Sequence, residues 1–413
     1  MLKIEDNISE FSVEYLKVGV ISDSQLTPCA WKKNTIYERN LIDSLQTFKS
    51  NECNMIIFAG DICNKASDIA YQRYVNCFKY VFGEDMPIVQ SIMGNHDYLG
   101  FASKKFYRKL FRDNLNQEPF THLVINGYHF IGVSPCSANM YDAYRPVEDW
   151  LERNINIALA DNNDRPIFIT THNAPKDTVY GSDKWGDVYL GEILKKYKQV
   201  VNFCGHSHYS ILDERSYYFD KYSVLSTQSV SYLEMECGKQ NGTIPPMAFD
   251  CPMGYIIDFD NDKIFAKRYD LKRNIELKAD TRWQIYPQNE RIINKENKPK
   301  LNVKDVRYTL INDLTQIKFM KTDDSDFIHS YKLVINDNVE QYYFSDFYRG
   351  IDCTQHQEIT LYDLERGWYD IKIFAVNSYG QVSDYFVAID NVPIIKKAKY
   401  RMIQTPEKLW HRF

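Results

Sequence analysis

The chain has 413 residues, too many for one compact core, and its 44% hydrophobic and 25% charged residues are ordinary for a soluble globular protein of two or three domains. A formal charge of −5 lacks the basic surplus of a nucleic-acid binder, and no stretch is long and apolar enough to span a bilayer. Nine cysteines without a C-x-x-C pair argue against a disulfide framework, and the first residues carry no apolar signal-peptide core, so a cytoplasmic protein with free thiols is expected.

In chain order, Val18-Gly19-Val20-Ile21 reads as a buried strand running into Asp23-Ser24-Gln25. A helix is predicted from Thr35 to Phe48, where Ile36, Leu41, Leu45 and Phe48 fall close to a 3.6-residue period. The strand Met55 to Ala59 ends at Gly60-Asp61-Ile62-Cys63-Asn64, and a helical stretch follows to near Phe82. The apolar run Pro87 to Ile92 then delivers Met93-Gly94-Asn95-His96-Asp97. Three strand-then-helix units that each end in polar groups imply parallel strands with one shared rim, where ligands of α/β sheets bind.

A further helix is predicted around Phe101 to Leu115, and Asn126-Gly127 between two apolar runs signals a hairpin. Pro146 to Ala160 reads as a helix with Pro at its first position. The strands Ile167 to Thr171 and Val200 to Phe203 deliver His172 and Gly205-His206-Ser207-His208. Strand patterns return at Ser223 to Thr227 and at Tyr255 to Tyr269, the latter broken at Asp260-Asn261-Asp262. A first domain over 1–283 is therefore expected, then an aperiodic linker over 284–300, a β-sandwich over 301–393, and a basic tail over 394–413 that carries Lys396, Lys397, Lys399, Arg401, Lys408 and Arg412.

Collected in order, the strand-end residues are Asp23, Gln25, Asp61, Asn64, Asn95, His96, Asp97, His172, His206 and His208. Oxygen and imidazole donors without thiolates suit manganese, iron or zinc. Two such ions about 3.5–4 Å apart, bridged by one carboxylate, are the arrangement for in-line displacement at phosphorus, with water acidified towards a pKa of roughly 7.

This pattern resembles the calcineurin-like metallophosphoesterases. Their motifs D-x-H, G-D-x-x-[ND], G-N-H-[DE], a later His and G-H-x-H are met by Asp23-x-Gln25, Gly60-Asp61-x-x-Asn64, Gly94-Asn95-His96-Asp97, His172 and Gly205-His206-x-His208. The resemblance implies an α/β fold, a four-layer αββα sandwich, followed here by the smaller all-β sandwich. It also implies two divalent or trivalent transition-metal ions (Mn, Fe or Zn) and hydrolysis of phosphate esters or diphosphates by a metal-bound hydroxide. By the same resemblance Asp23 and His208 hold the first metal, with Gln25 in the position that is usually His, and Asp61 bridges both. Asn95, His172 and His206 hold the second. His96 protonates the leaving oxygen or stabilises phosphoryl charge, Asp97 orients its ring, and Asn64 supports the loop after Asp61.

No tyrosine stands in that loop, so the tyrosinate-to-iron site of the purple acid phosphatases is not expected. Gln25 tilts the reading towards proteins similar to manganese-dependent ADP-ribose/CDP-alcohol diphosphatases and some protein-phosphatase-like members. The expected substrate is a phosphorylated small molecule or nucleotide. Two alternatives stand beside it: a non-catalytic binding protein with a weakened first site, and a phosphodiesterase acting on nucleic acid or cyclic nucleotides.

Trp31, Tyr37, Tyr141, Tyr144, Tyr180, Trp185 and Tyr189 fall in rim loops, where a ring can stack on a base or sugar, although 15% aromatic residues place many there by chance. His122, His129, His329 and His356 read as ordinary packing or surface residues. The C-terminal module resembles a fibronectin type III domain through Leu364-Glu365-Arg366-Gly367-Trp368-Tyr369 and Ala375-Val376-Asn377-Ser378-Tyr379-Gly380, with Phe319 where a strand tryptophan is usual. Such a sandwich carries no chemistry of its own and implies packing, self-association or a protein partner.

Overall fold

The computed structural model describes residues 4, 7–32, 34–139, 141–237, 240–260, 262–288, 295–321, 327–352 and 356–399. Arg401, Lys408 and Arg412 of the expected basic tail lie outside them. The chain divides into two compact units, Met1–Leu233 with Met247–Arg291, and Glu234–Pro246 with Ile292–Phe413.

In the first unit, one seven-stranded sheet runs in the order Ile275–Leu277, Lys263–Asp270, Met253–Asp260, Lys17–Ile21, Met55–Phe58, Ile88–Ser91, with Trp283–Tyr286 also paired to Lys263–Asp270. That last strand continues the unit into the stretch read as linker. The strands Lys17–Ile21, Met55–Phe58 and Ile88–Ser91 are parallel neighbours. Each is followed by a helix, at Ile36–Ser50, Asp68–Phe82 and Lys104–Leu115. Side chains set the helix starts: Thr35 and Glu38 form a capping box, and Ser67 and Ser103 accept from the backbone N–H of Ala70 and Phe106. The helix expected around Phe101 therefore begins only at Lys104. Leu41, Leu45, Tyr71, Phe78 and Phe111 from these helices share one core with Ile21, Ile56 and Phe58 of the sheet.

The second sheet runs Ile8–Phe11, Phe120–Ile125, Tyr128–Val133, Ile167–Thr171, Val200–Cys204, Ser223–Ser226, Tyr217–Phe219. Its Asn126-Gly127 hairpin has φ of 49° and 74°, the positive pair that a two-residue turn matching strand twist demands. The helix Glu148–Asp161 covers this sheet with Trp150, Leu151, Ile155 and Ala158 packed on Ile131, Ile167, Ile169 and Val224. It starts two residues after Pro146, because Arg145–Val147 form a 3₁₀ turn. Between the sheets Phe168 stacks on Phe130 and Phe203 and meets Phe259 of the other sheet edge-on at 5.8 Å. Helices, sheet, sheet and helix give the four-layer αββα order.

The second unit holds a three-stranded sheet (Val303–Ile311, Leu314–Lys321, His356–Thr360) and a four-stranded one (Val339–Phe344, Ser330–Ile335, Gly367–Val376, Val387–Ile394). Ile317, Phe319, Tyr331, Leu333, Ile371 and Val392 fill the core of this β-sandwich. The short strands Met235–Cys237 and Gln240–Thr243 belong to the same unit, although the chain that surrounds them belongs to the first. Tyr348 donates its hydroxyl to Pro246 O at 2.8 Å, and at the neck of this insertion Leu233 N–H donates to Ala248 O at 3.0 Å.

Candidate metal centre

The loops that leave the first two parallel strands zip together: Asp23 N–H donates to Gly60 O, Gln25 N–H to Asp61 O, and Leu26 N–H to Ile62 O, all within 3.0 Å. To make these turns Asp23, Gln25, Asp61, His206 and His208 take left-handed backbone angles, with φ between 43° and 72°. A non-glycine residue held there costs on the order of 1–3 kcal/mol, and such strain persists only where surrounding bonds over-determine it. All five are residues that the motifs single out. Gly60 (φ 90°) and Gly205 are needed for close approach, since a Cβ would lie 2.6 Å from His172 Nδ1 and 2.5 Å from Asp23 Oδ2 respectively.

Two groups of donor atoms result, Asp23–Asp61–His208 and Asp61–His172–His206, each with its atoms within 4.8 Å of one another. Asp61 belongs to both. His208 Nε2 lies 3.1 Å from Asp23 Oδ1 and 3.3 Å from the Gln25 amide, whose half-turn rotation puts Oε1 in the same place. His172 Nε2 lies 3.3 Å from Asp61 Oδ1 and 3.0 Å from Asn95 Oδ1. Behind the rings, His172 Nδ1–H donates to Ala59 O at 2.8 Å and His208 Nδ1–H to Tyr232 O at 3.1 Å, which turns both Nε2 atoms into the cluster. The second oxygen of Asp23 is taken by His206 N–H and the Ser22 hydroxyl.

Burial would raise the Asp61 carboxyl, but the imidazoles of His172 and His96 hold it well below the usual range. His172 is pushed the other way: burial lowers it, yet Asp61 raises it to about 9. Burial and the neighbouring His172 charge drop His206 to about 3. His206 is therefore neutral, and its buried Nε2 has no hydrogen-bond partner among the described residues. A fixed carboxylate shared by two nitrogen-and-oxygen triads, with an unpartnered lone pair aimed nowhere else, fits two transition-metal cations.

His96 stands beside this cluster. Its backbone N–H donates to Asp61 Oδ1 at 2.8 Å and its Nε2 is 4.0 Å from Asp61 Oδ2. Its Nδ1 is held by Asn64 O at 2.9 Å, so the orienting partner is a backbone carbonyl, not the Asp97 carboxylate expected from the motif. Asp97 instead accepts from the N–H groups of Ile62, Cys63 and Gly94 and from the Tyr71 hydroxyl, tying the second loop to the third. Burial and the charge of Asp61 raise its carboxyl to about 6.

Residues 16–210 match the family model described as Calcineurin-like phosphoesterase. They form a calcineurin-like phosphoesterase domain. No curated protein matches the chain in sequence. Among solved structures, the chain is similar to a dimetal phosphatase from Danio rerio (11% identity over 66% of this chain and 98% of that one, TM-score 0.46). It is also similar to GAP50, the anchor in the inner membrane complex of Plasmodium (14%, 65% and 88%, TM-score 0.42), and to the purple acid phosphatase PPD1 from yellow lupin seeds (11%, 64% and 52%, TM-score 0.42). The domain assignment rests on the sequence match alone.

Sequence reasoning missed how the phosphoesterase domain holds its fourth strand end. Tyr144, expected on the rim, is fully buried, and its hydroxyl accepts from the N–H groups of His172 (2.8 Å) and Asn173 (3.1 Å). Tyr144→Phe leaves both donors unpaired and is expected to destabilise the protein by about 1–3 kcal/mol, read from denaturant melts. A variant within 0.5 kcal/mol of the parent, roughly the spread of a harmless surface change, would remove Tyr144 from this role. Of the other rim aromatics, Trp31 is exposed, Trp185 sets its ring 6.2 Å from that of His206, and Tyr180 lies under Arg215 at 3.7 Å. His122 and His129 are both buried and bonded to each other at 2.7 Å, continuing to Asn154 on one side and Asp161 on the other.

Proposed function

We propose that the first unit is a dinuclear-metal-dependent hydrolase of phosphate esters or diphosphates, acting on a phosphorylated small molecule or nucleotide. The observation that carries this reading is Asp61, buried and shared by two donor triads, with the unpartnered Nε2 of His206 in one of them. Asp23, Gln25 and His208 would hold one ion, Asn95, His172 and His206 the other, and Asp61 both. Manganese, iron or zinc bound there would supply charge neutralisation at phosphorus and an acidified water.

The chain's own part in the reaction falls to His96. With Nδ1–H committed to Asn64 O, protonated His96 presents Nε2–H on the cluster side. As a water oxygen bonds to phosphorus and the bond from phosphorus to the leaving oxygen breaks, that proton passes to the leaving oxygen. His96→Ala should keep the metals and lose about 10²–10⁴-fold in turnover, most steeply for poor leaving groups. Equal losses for good and poor leaving groups would contradict the acid role. The whole reading is tested by assaying the metal-supplemented protein on monoesters, cyclic diesters and nucleotide diphosphates; turnover of none of them removes it.

The second unit we read as a fibronectin type III-like module for packing or partner binding. The strands of its sandwich divide three and four, and Tyr369 donates its hydroxyl back to Glu365 O at 2.9 Å, the corner contact of such sandwiches. Seven free cysteines among the described residues support a cytoplasmic location. No helix among those residues is long and apolar enough to cross a membrane.

A further inference from the structure

Phe101 is fully exposed on the loop that leaves His96. Tyr98 N–H to Asn95 O (3.1 Å) and Leu99 N–H to His96 O (3.0 Å) wind the motif into a 3₁₀ turn, and Gly100, with φ 145°, then redirects the chain. Ala102 N–H donates to the Tyr107 hydroxyl at 3.1 Å, which ties the far side of the loop to the helix Lys104–Leu115. The backbone that carries Phe101 is therefore held on both sides.

Lys65 meets it from the other loop. It follows Asn64, whose carbonyl holds His96 Nδ1, and its Nζ lies 5.7 Å from the centre of the Phe101 ring. The two loops that fix His96 thus each send out one further side chain, an ammonium and an aromatic face, and these stand together.

Single exposed apolar side chains are common and need no explanation. Three features set this one apart: a pinned loop, a neighbouring cation, and a place on the loop that leaves His96, met by a lysine from the loop whose Asn64 carbonyl holds that imidazole. A ring left in water forgoes about 2 kcal/mol of burial, and an exposed cation–π contact returns only about 0.5–1 kcal/mol, so the arrangement gains little for the fold by itself. A planar group laid on the ring would recover that area, and Lys65 would face any anionic group it carries.

We propose that Phe101 and Lys65 form the leaving-group subsite and select phosphate esters whose leaving group carries a planar ring. This rests on the reading of His96 as the leaving-group acid. A simple aryl group and a nucleobase share the required chemistry.

Calorimetry on the full chain reconstituted with manganese tests the subsite without turnover, using phenylphosphonate against methylphosphonate and adenosine 5′-monophosphate against ribose 5-phosphate. The parent should bind the ring-bearing member of at least one pair about tenfold more tightly. Preference within the first pair marks an aryl subsite, and preference confined to the second a nucleobase subsite. Phe101→Leu should bring the ratio close to one, and Phe101→Trp should keep it. Lys65→Gln should weaken the ring-bearing ligands with less effect on their partners. A ratio that is unchanged in Phe101→Leu, or no ring preference in the parent, overturns the proposal. If the parent hydrolyses phosphate esters while that ratio is unchanged, only the subsite falls. If it binds ring-selectively through Phe101 yet hydrolyses nothing, the hydrolase reading falls and takes the leaving-group role with it, and only ring binding at Phe101 stands.

Discussion

Asp61→Asn is expected to strip the protein of both ions and to lower kcat/KM by at least about 10³-fold, the scale on which a fixed electrostatic group at a reacting centre acts. The carboxylate is a member of both donor groups, it is fully buried, and the imidazoles around it hold it ionised. An amide of the same shape keeps the packing but removes the one charge that both cations would share. Gln25→Ala should do far less, because a neutral amide contributes no charge and belongs to the first group alone; there the ion closest to Asp23 and His208 should be lost first on mild chelation. Elemental analysis of the purified variants decides the matter, with circular dichroism to confirm the fold. Two tightly held ions in Asp61→Asn would mean that the centre is built elsewhere.

Gly94→Ala should be nearly as damaging, for a steric reason. The added methyl would fall inside contact distance of the Asp61 carboxylate, 2.8 Å from its Cγ, and would also press on the Asp61 backbone nitrogen. Neither can retreat: the carboxylate accepts from His96 N–H, and Gly94's own N–H donates to Asp97 Oδ2 at 2.9 Å. The overpacking is expected to cost about 1–3 kcal/mol and, by displacing the shared carboxylate, most of the metal affinity. Gly191→Ala is the control, since a Cβ there meets nothing nearer than 3.5 Å. Parental metal content in Gly94→Ala would show that Asp61 moves without consequence.

The convergence of these donors was legible because each follows an apolar strand. Parallel strands end at one edge, so local pattern and topology together place Asp23, Asp61 and Asn95 side by side at the rim of one sheet and His172 and His206 at the rim of the other. What escaped the sequence was whatever depends on a partner remote in the chain or on the backbone. Asn64 acts on His96 through its carbonyl, which any residue type would supply. Asp97 looked like a ring-orienting carboxylate, but it bonds to loop N–H groups more than thirty residues away and to Tyr71. Tyr144 read as a rim aromatic because nothing near it in sequence shows that the strand ending at Thr171 will bring two N–H groups to its hydroxyl. The His122–His129 pair forms across a hairpin whose turn was evident, but the inward direction of both rings was not.

The insertion between Leu233 and Met247 changes how the two units can be taken apart. A chain shortened to end near residue 291 would still carry Glu234–Pro246, now deprived of the strands with which it makes one unit and of the Tyr348 hydroxyl on Pro246 O. The stub would emerge just past Tyr232, whose carbonyl aims His208. Because Leu233 N–H bonds to Ala248 O, the insertion leaves and re-enters its parent unit at adjacent points, as a branch leaves a trunk. Dissection therefore needs two cuts, with a short turn joining Leu233 to Met247, and transplanting the sandwich onto another protein means carrying this hairpin along as its graft.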